Sequence, residues 1–209
     1  MDGYTIQEEV LDYVRVENNR ICAYYILRCG KNSFTCMDTY ESCAEGILVT
    51  STLRPMKAKG NLPRFGKAFR LDERFDRVDY LGRNGESYCD MYAHTQIEKV
   101  SCRVEDMTEP NIRPQESGNR SDCRWVKLSD GETDITFTAV EKPFELGIKP
   151  YSDWELLSMK HREDEKRSGT YVTISAFQMG IGTGSCGPST RPEYCFDANE
   201  EYVLKFIIS

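Results

Sequence analysis

Between Thr5 and Met56 the chain is written as short runs rich in β-branched and aromatic residues: IQEEVLDYVRV, RICAYYILRC, SFTCMDTY and GILVTSTLRP. Asparagine or glycine punctuates the breaks, as in ENN and GKN. Runs of this length with turn residues between them predict an antiparallel meander, and no amphipathic helix is needed to account for them. The same texture returns later. CRWVKL and TDITFTAV predict a hairpin around Ser129, Asp130 and Gly131, and the tail reads as strands in TYVTISAFQM, EYCF and YVLKFIIS. AFRLDERFDRVDYLG predicts a strand pair broken near Asp72, with Phe69, Leu71, Phe75, Val78, Tyr80 and Leu81 as buried candidates. Lys57 to Gly66 reads as a loop.

One helix is expected, over Tyr151 to Lys166. Ser152 can cap it with Glu155 three residues on, and Trp154, Leu157 and His161 fall on one face. The fold class is therefore all-β and antiparallel with at most one short helix. The 209 residues suit a single β-sandwich domain over 1–209. No repeat of solenoid or propeller length is visible.

Charge narrows the partners. With 27 basic against 34 acidic residues the net charge is −7, which disfavours nucleic acid and anionic membrane surfaces. MDGYTIQEEV has no basic segment leading into an apolar run, and no stretch approaches the ~18 apolar residues of a membrane span, so a cytoplasmic location is expected. Nine cysteines leave at least one unpaired. Cys22, Cys29, Cys36 and Cys43 recur every seven residues, a spacing that alternates them between the faces of extended chain. No CxxC pair occurs, so zinc is not expected and the thiols are read as reduced.

The glycine-rich loop Met179 to Pro188 (MGIGTGSCGP) is no phosphate cradle. It lacks the Lys-Ser/Thr of a Walker loop, and Pro188 with EYCF follows it in place of a helix. Its glycines serve a tight turn or a close approach to a ligand. Cys186 in that loop would need a histidine base to be a nucleophile, and the only histidines are His94, in a polar stretch, and His161, in a charged one. Most acidic residues sit in charge-mixed runs. Glu86, Glu116 and Asp122 stand apart beside glycine and aromatic residues in long loops, yet form no visible acid and nucleophile pair. No catalytic residue and no metal ligand are assigned. Trp125 and Trp154 are read as core residues and not as sugar platforms. The long stretch Glu105 to Asp122 is expected to be functional or to wrap another surface.

Four stretches carry a resemblance. IRPQESGNRSDCRW (Ile112 to Trp125) is similar to the YVRPQENGNRTDVRW-type segment in the C-terminal domain of glycoside hydrolase family 2 β-galactosidases. YLGRNGESYCD, PYSDWELLSMKHRED and FQMGIGTGSCGP resemble the same domain in the same order. There are departures: GRNGESYCD is one residue shorter than the family turn and lacks its proline, and Pro110-Asn111 stands where Pro-Tyr is usual.

The resemblance implies a galactose-mutarotase-like super-sandwich, truncated at its N-terminal side relative to the family domain. The catalytic glutamates would lie in a barrel elsewhere in the parent enzyme, together with its magnesium and its sodium or potassium. This chain would hold no cofactor and would be inactive alone. Its expected partners are the remaining domains or large subunit and a β-galactoside substrate, in a homo-oligomeric parent. The resemblance also implies that Cys186, with Gly184 and Ser185, lines the aglycone side of the pocket, where relatives carry tryptophan or cysteine.

Overall fold

The chain reverses where the sequence punctuates it. In the computed structural model, which describes residues 8–181 and 189–209, Asn18 and Gly30 take positive φ (48° and 60°) between the first three strands. Such turns match the right-handed twist of the strands they join. The meander is β1 (Glu8–Glu17), β2 (Arg20–Cys29), β3 (Asn32–Cys43) and β4 (Gly46–Lys57). It is followed by β5 (Asn61–Leu62), β6 (Arg64–Leu71), β7 (Arg77–Arg83) and β8 (Ile97–Arg103). Then come β9 (Arg120–Cys123), β10 (Trp125–Ser129), β11 (Asp134–Ala139), β12 (Phe144–Lys149), β13 (Thr170–Gln178), β14 (Phe196–Asp197) and β15 (Tyr202–Ile208).

Pairing is antiparallel throughout. One sheet has nine strands in the order β1-β2-β3-β4-β15-β11-β10-β7-β8, and a second has four, β6-β13-β12-β9. The tail strand β15 sits centrally, between β4 and β11, and welds the meander to the rest. Gly46 permits this, because a Cβ there would meet the carbonyl oxygen of Ile208 at 2.2 Å. The hairpin around Asp130 and Gly131 forms as expected, with Trp125 opposite Thr138 and Ser129 opposite Asp134.

The two sheets share one core. Phe144, Leu146, Ile148, Val172 and Ile174 of the smaller sheet are buried with Val126, Leu128, Phe137 and Phe206 of the larger. Phe69 bridges the layers, 5.0 Å from Phe137 and 6.0 Å from Phe206 between ring centroids. Each such side chain removed from water contributes about 1.5–3 kcal/mol. Cys29 and Cys36 join this core, whereas Cys22, odd-spaced from Cys29 on the same strand, points to the opposite face. The eight cysteines among the described residues are all free thiols.

Four local expectations need correcting. β6 and β7 are both strands, broken at Asp72, but they do not pair: β6 joins β13 and β7 joins β8 and β10. The supposed loop 57–66 is mostly strand, since β4 reaches Lys57 and Asn61–Leu62 pairs with Phe196–Asp197. EYCF is largely a 3-10 turn at Pro192–Tyr194. Finally, the helix α1 covers only Asp153–Ser158. Its capping box is as expected, with Ser152 and Glu155 exchanging hydrogen bonds, but Met159 is already extended at ψ 137°. Beyond it the charged run has no apolar residue to bury, so only a 3-10 turn at Arg162–Asp164 follows. Trp154 (68% exposed) and Leu157 (72%) face solvent, and Trp154 is not a core residue.

Candidate functional site

Alternation along β12 and β13 gives the smaller sheet two unlike faces. Phe144, Leu146 and Ile148 enter the core, so Glu145 and Lys149 lie on the outer face with Ser175 and Tyr171 opposite them on β13. A polar layer is built on that outer face, and three loops close over it.

The first two loops zip together. Ser87 N donates to the Asn119 carbonyl at 2.8 Å, Asn119 Nδ2 donates to the Ser87 carbonyl at 2.7 Å, and Ser121 N donates to Ser87 Oγ at 2.9 Å. Gly118 N donates to Glu86 Oε1 at 2.8 Å. Gly118 has to be glycine: φ is +79° and a Cβ would lie 1.9 Å from the Met107 carbonyl oxygen. Both Ser121 Oγ and Asn119 Nδ2 donate to Glu145 Oε2, each at 2.6 Å. Burial nevertheless dominates, and the Glu145 carboxyl is pushed up to about 7.

The third loop enters through an ion network. Lys149 Nζ, its side chain 7% exposed, contacts Glu116 Oε2 at 2.6 Å and Asp153 Oδ1 at 2.8 Å. Arg64 pairs with the same Asp153 and lies 3.7 Å from Glu116. Burial would raise the Asp153 carboxyl, but Lys149 and Arg64 outweigh it and hold the group below its ordinary value. Next to this layer, Arg83 binds Asp122 Oδ2 at 2.7 Å and stacks 3.8 Å over the Tyr92 ring.

The layer also holds the roots of the glycine-rich loop. Asp90 Oδ1 accepts from Ile181 N at 3.2 Å, and Gly180 packs so closely that a Cβ would meet the Asp90 carboxyl carbon at 2.5 Å. Gly180 N donates to the Tyr194 carbonyl at 3.2 Å, and Thr190 Oγ1 donates to the Gly180 carbonyl at 2.9 Å. Cys89 Sγ donates to the Tyr194 carbonyl at 3.7 Å. Burial, with Asp90 and Glu145 nearby, pushes that thiol up to about 11, so it stays protonated at neutral pH.

Of the residues singled out in the sequence, Glu86, Glu116 and Asp122 are all brought here, each bound to a partner: Gly118 and Tyr88 for Glu86, Lys149 and Arg64 for Glu116, Arg83 for Asp122. His94 and His161 are both exposed. Trp125 is half-buried, with Lys99 5.8 Å over its ring. Cys186, Gly184 and Ser185 lie outside the described residues. Among the described residues no group of three or more His, Cys, Asp or Glu side chains is placed to hold a metal ion. No helix among them is long and apolar enough to cross a membrane. Sequence reasoning missed Glu145, Asn119, Ser121 and Ser87. The one available signal was an acid in the strand FELGIK on the face opposite its apolar residues.

Residues 5–208 match the family described as "Beta galactosidase small chain". The chain belongs to this family. It is 32% identical over 173 residues to a β-galactosidase of Lactobacillus delbrueckii subsp. bulgaricus, 81% of this chain and 17% of that protein. Identity to the β-galactosidase of Staphylococcus xylosus is 34% over 159 residues, 74% of this chain and 16% of the relative. To that of Streptococcus thermophilus it is 27% over 201 residues, 93% and 20%. The chain thus spans about a fifth or less of the length of these relatives. Among solved structures it is similar to a putative aldose 1-epimerase of Escherichia coli K12, with a TM-score of 0.47, 12% identity, and coverage of 94% of this chain and 67% of that one. The four stretches that resemble the β-galactosidases are the ones whose residues meet in and around the polar layer, which gives their co-occurrence a structural reason.

Proposed function

We propose that this chain is the non-catalytic C-terminal domain of a β-galactosidase, and that it completes the aglycone side of an active site whose catalytic glutamates stand in the remaining polypeptide. The observation that carries this reading is the polar layer of family stretches holding both roots of the Met179 to Pro188 loop, through Asp90, Gly180, Thr190 and Tyr194. Such a layer anchors the two roots of a loop without itself offering an acid and nucleophile pair. The assembled enzyme would hydrolyse terminal β-D-galactosides such as lactose, in the cytoplasm and as a homo-oligomer. The magnesium and the sodium or potassium would belong to the remaining polypeptide, as the family resemblance implies.

The role assigned to Cys186, with Gly184 and Ser185 beside it, is contact with the leaving group. A thiol covers less area than an indole, so C186W in the assembled enzyme should lower KM for lactose with a smaller change in kcat. The test is twofold. The chain alone should not hydrolyse a chromogenic β-galactoside, and the enzyme containing it should. Robust turnover by the chain alone, or a C186W enzyme with an unaltered KM, would count against the reading.

A further inference from the structure

The larger sheet carries its core face beyond the layer that covers it. Registers place Leu11 opposite Tyr25, Val14 opposite Ala23 and Val16 opposite Ile21, so these side chains share the face that turns inward at Tyr25, Cys36 and Leu53. Along β1 and at Ile21, near the start of β2, that face lies bare, whereas Ala23 and Leu27 further along β2 are buried. Leu11 is 53% exposed, Val14 50%, Val16 70% and Ile21 46%. Four large apolar side chains in one stripe, continuous with a core, are unlike singly scattered surface residues.

The cover stops at β6. Among the described residues β6 pairs with β13 alone, which leaves its other edge open along Arg64–Leu71. That open edge is the one nearest the stripe, because Lys67 on β6 reaches Asp38 on β3 and stands 5.8 Å over the Tyr25 ring of β2. Strands in both layers repeat at about 4.8 Å, so one or two further strands beside β6 would lie over β2 and β1. The buried acid beside the slot, Asp38, is neutralised by Lys67 and accepts from Ser51 Oγ at 2.6 Å, while Glu9, opposite Leu27, carries a charge at the far end of the same face.

We infer that the open edge of β6 and the bare stripe formed by β1 and Ile21 of β2 together receive an extended segment of the parent β-galactosidase that lies outside this chain, pairing with β6 and setting alternate apolar residues on Leu11, Val14, Val16 and Ile21. This rests on the proposed function. The occupant is chosen because more than four fifths of the matched Lactobacillus relative lies outside the match, and because only an extended segment satisfies both the open edge and the apolar stripe. A second copy pairing through β1 would lengthen the larger sheet and still leave β6 open.

Amide exchange and hydroxyl-radical footprinting on the assembled, active enzyme test this. The β6 amides of residues 64–71 should exchange as slowly as those of β13, and Leu11, Val14, Val16 and Ile21 should be modified about tenfold less than in the unfolded chain. An active enzyme with fast exchange at β6 and a freely modified stripe overturns the inference and leaves the proposed function standing. If the chain never accompanies β-galactosidase activity, both fall. Protection of β1 by self-association of this chain, with β6 still open, also overturns it. A V14K/V16K enzyme is expected to lose stripe packing and assemble poorly, whereas normal assembly and activity would count against the docking.

Discussion

Ser121 donates its hydroxyl to the Glu145 carboxylate at 2.6 Å, across the seam where strand β9 meets β12, and Asn119 donates to the same oxygen. Two donors favour the charged form, yet burial outweighs them and the group titrates near 7. The folded state therefore holds this proton more tightly than the unfolded chain. Its contribution is full below about pH 4.5 and is lost as pH rises to about 7. The loss should be on the order of 3 kcal/mol. E145Q keeps an acceptor for both donors and removes the titration. Urea denaturation at pH 5 and pH 8 should show a smaller difference for E145Q than for the unaltered chain, and equal differences would contradict the buried-proton account.

Gly118 is the pivot of the second loop. G118A forces a side chain into positive φ and against the Met107 carbonyl, with the nearest contact at 1.9 Å. Backbone must move, at a cost of roughly 3 kcal/mol. Chemical denaturation should show this loss, whereas E86Q, which retains an acceptor for Gly118 N, should cost no more than about 1 kcal/mol.

Gly180 and Asp90 set the root of the glycine-rich loop. In G180A the new methyl meets the Asp90 carboxyl carbon at 2.5 Å and displaces the acceptor of Ile181 N. The assembled enzyme should show KM for lactose raised by about threefold to tenfold, with kcat less affected. An unchanged KM would separate the loop root from substrate binding.

Trp154 and Lys149 are five residues apart in the sequence but should behave oppositely. W154A removes an indole that is 68% exposed and should change stability by no more than about 0.5 kcal/mol. K149M strips a buried ammonium from Glu116 and Asp153; because both carboxylates retain solvent and Arg64 remains, the cost should be about 1–2 kcal/mol. Thermal or urea melts of the two variants check this. A loss of several kcal/mol in W154A would mean the tryptophan packs inward.

The positions of the long strands are local facts, and the sequence determined them, whereas the two-residue strands Asn61–Leu62 and Phe196–Asp197 exist only through each other. Period-two alternation in TYVTISAFQM and FELGIK, and turn residues at Asn18, Gly30 and Gly131, act over a few residues and need no distant partner. Family membership was likewise legible, because IRPQESGNRSDCRW is long and specific. What only the tertiary structure decided is which layer each strand joins and what covers each face. Alternation says that two faces differ, but not which face another sheet will desolvate. Hence β6 and β7, adjacent in the chain, separate into different sheets. Trp154 obeys helical spacing and still meets water, because α1 turns Leu156 inward to a cluster with Tyr151 and Met159 and leaves Trp154 and Leu157 outside. Glu145 reads as an ordinary strand acid until Ser121 and Asn119, more than twenty residues away in sequence, close over it and remove the water that would have kept it charged.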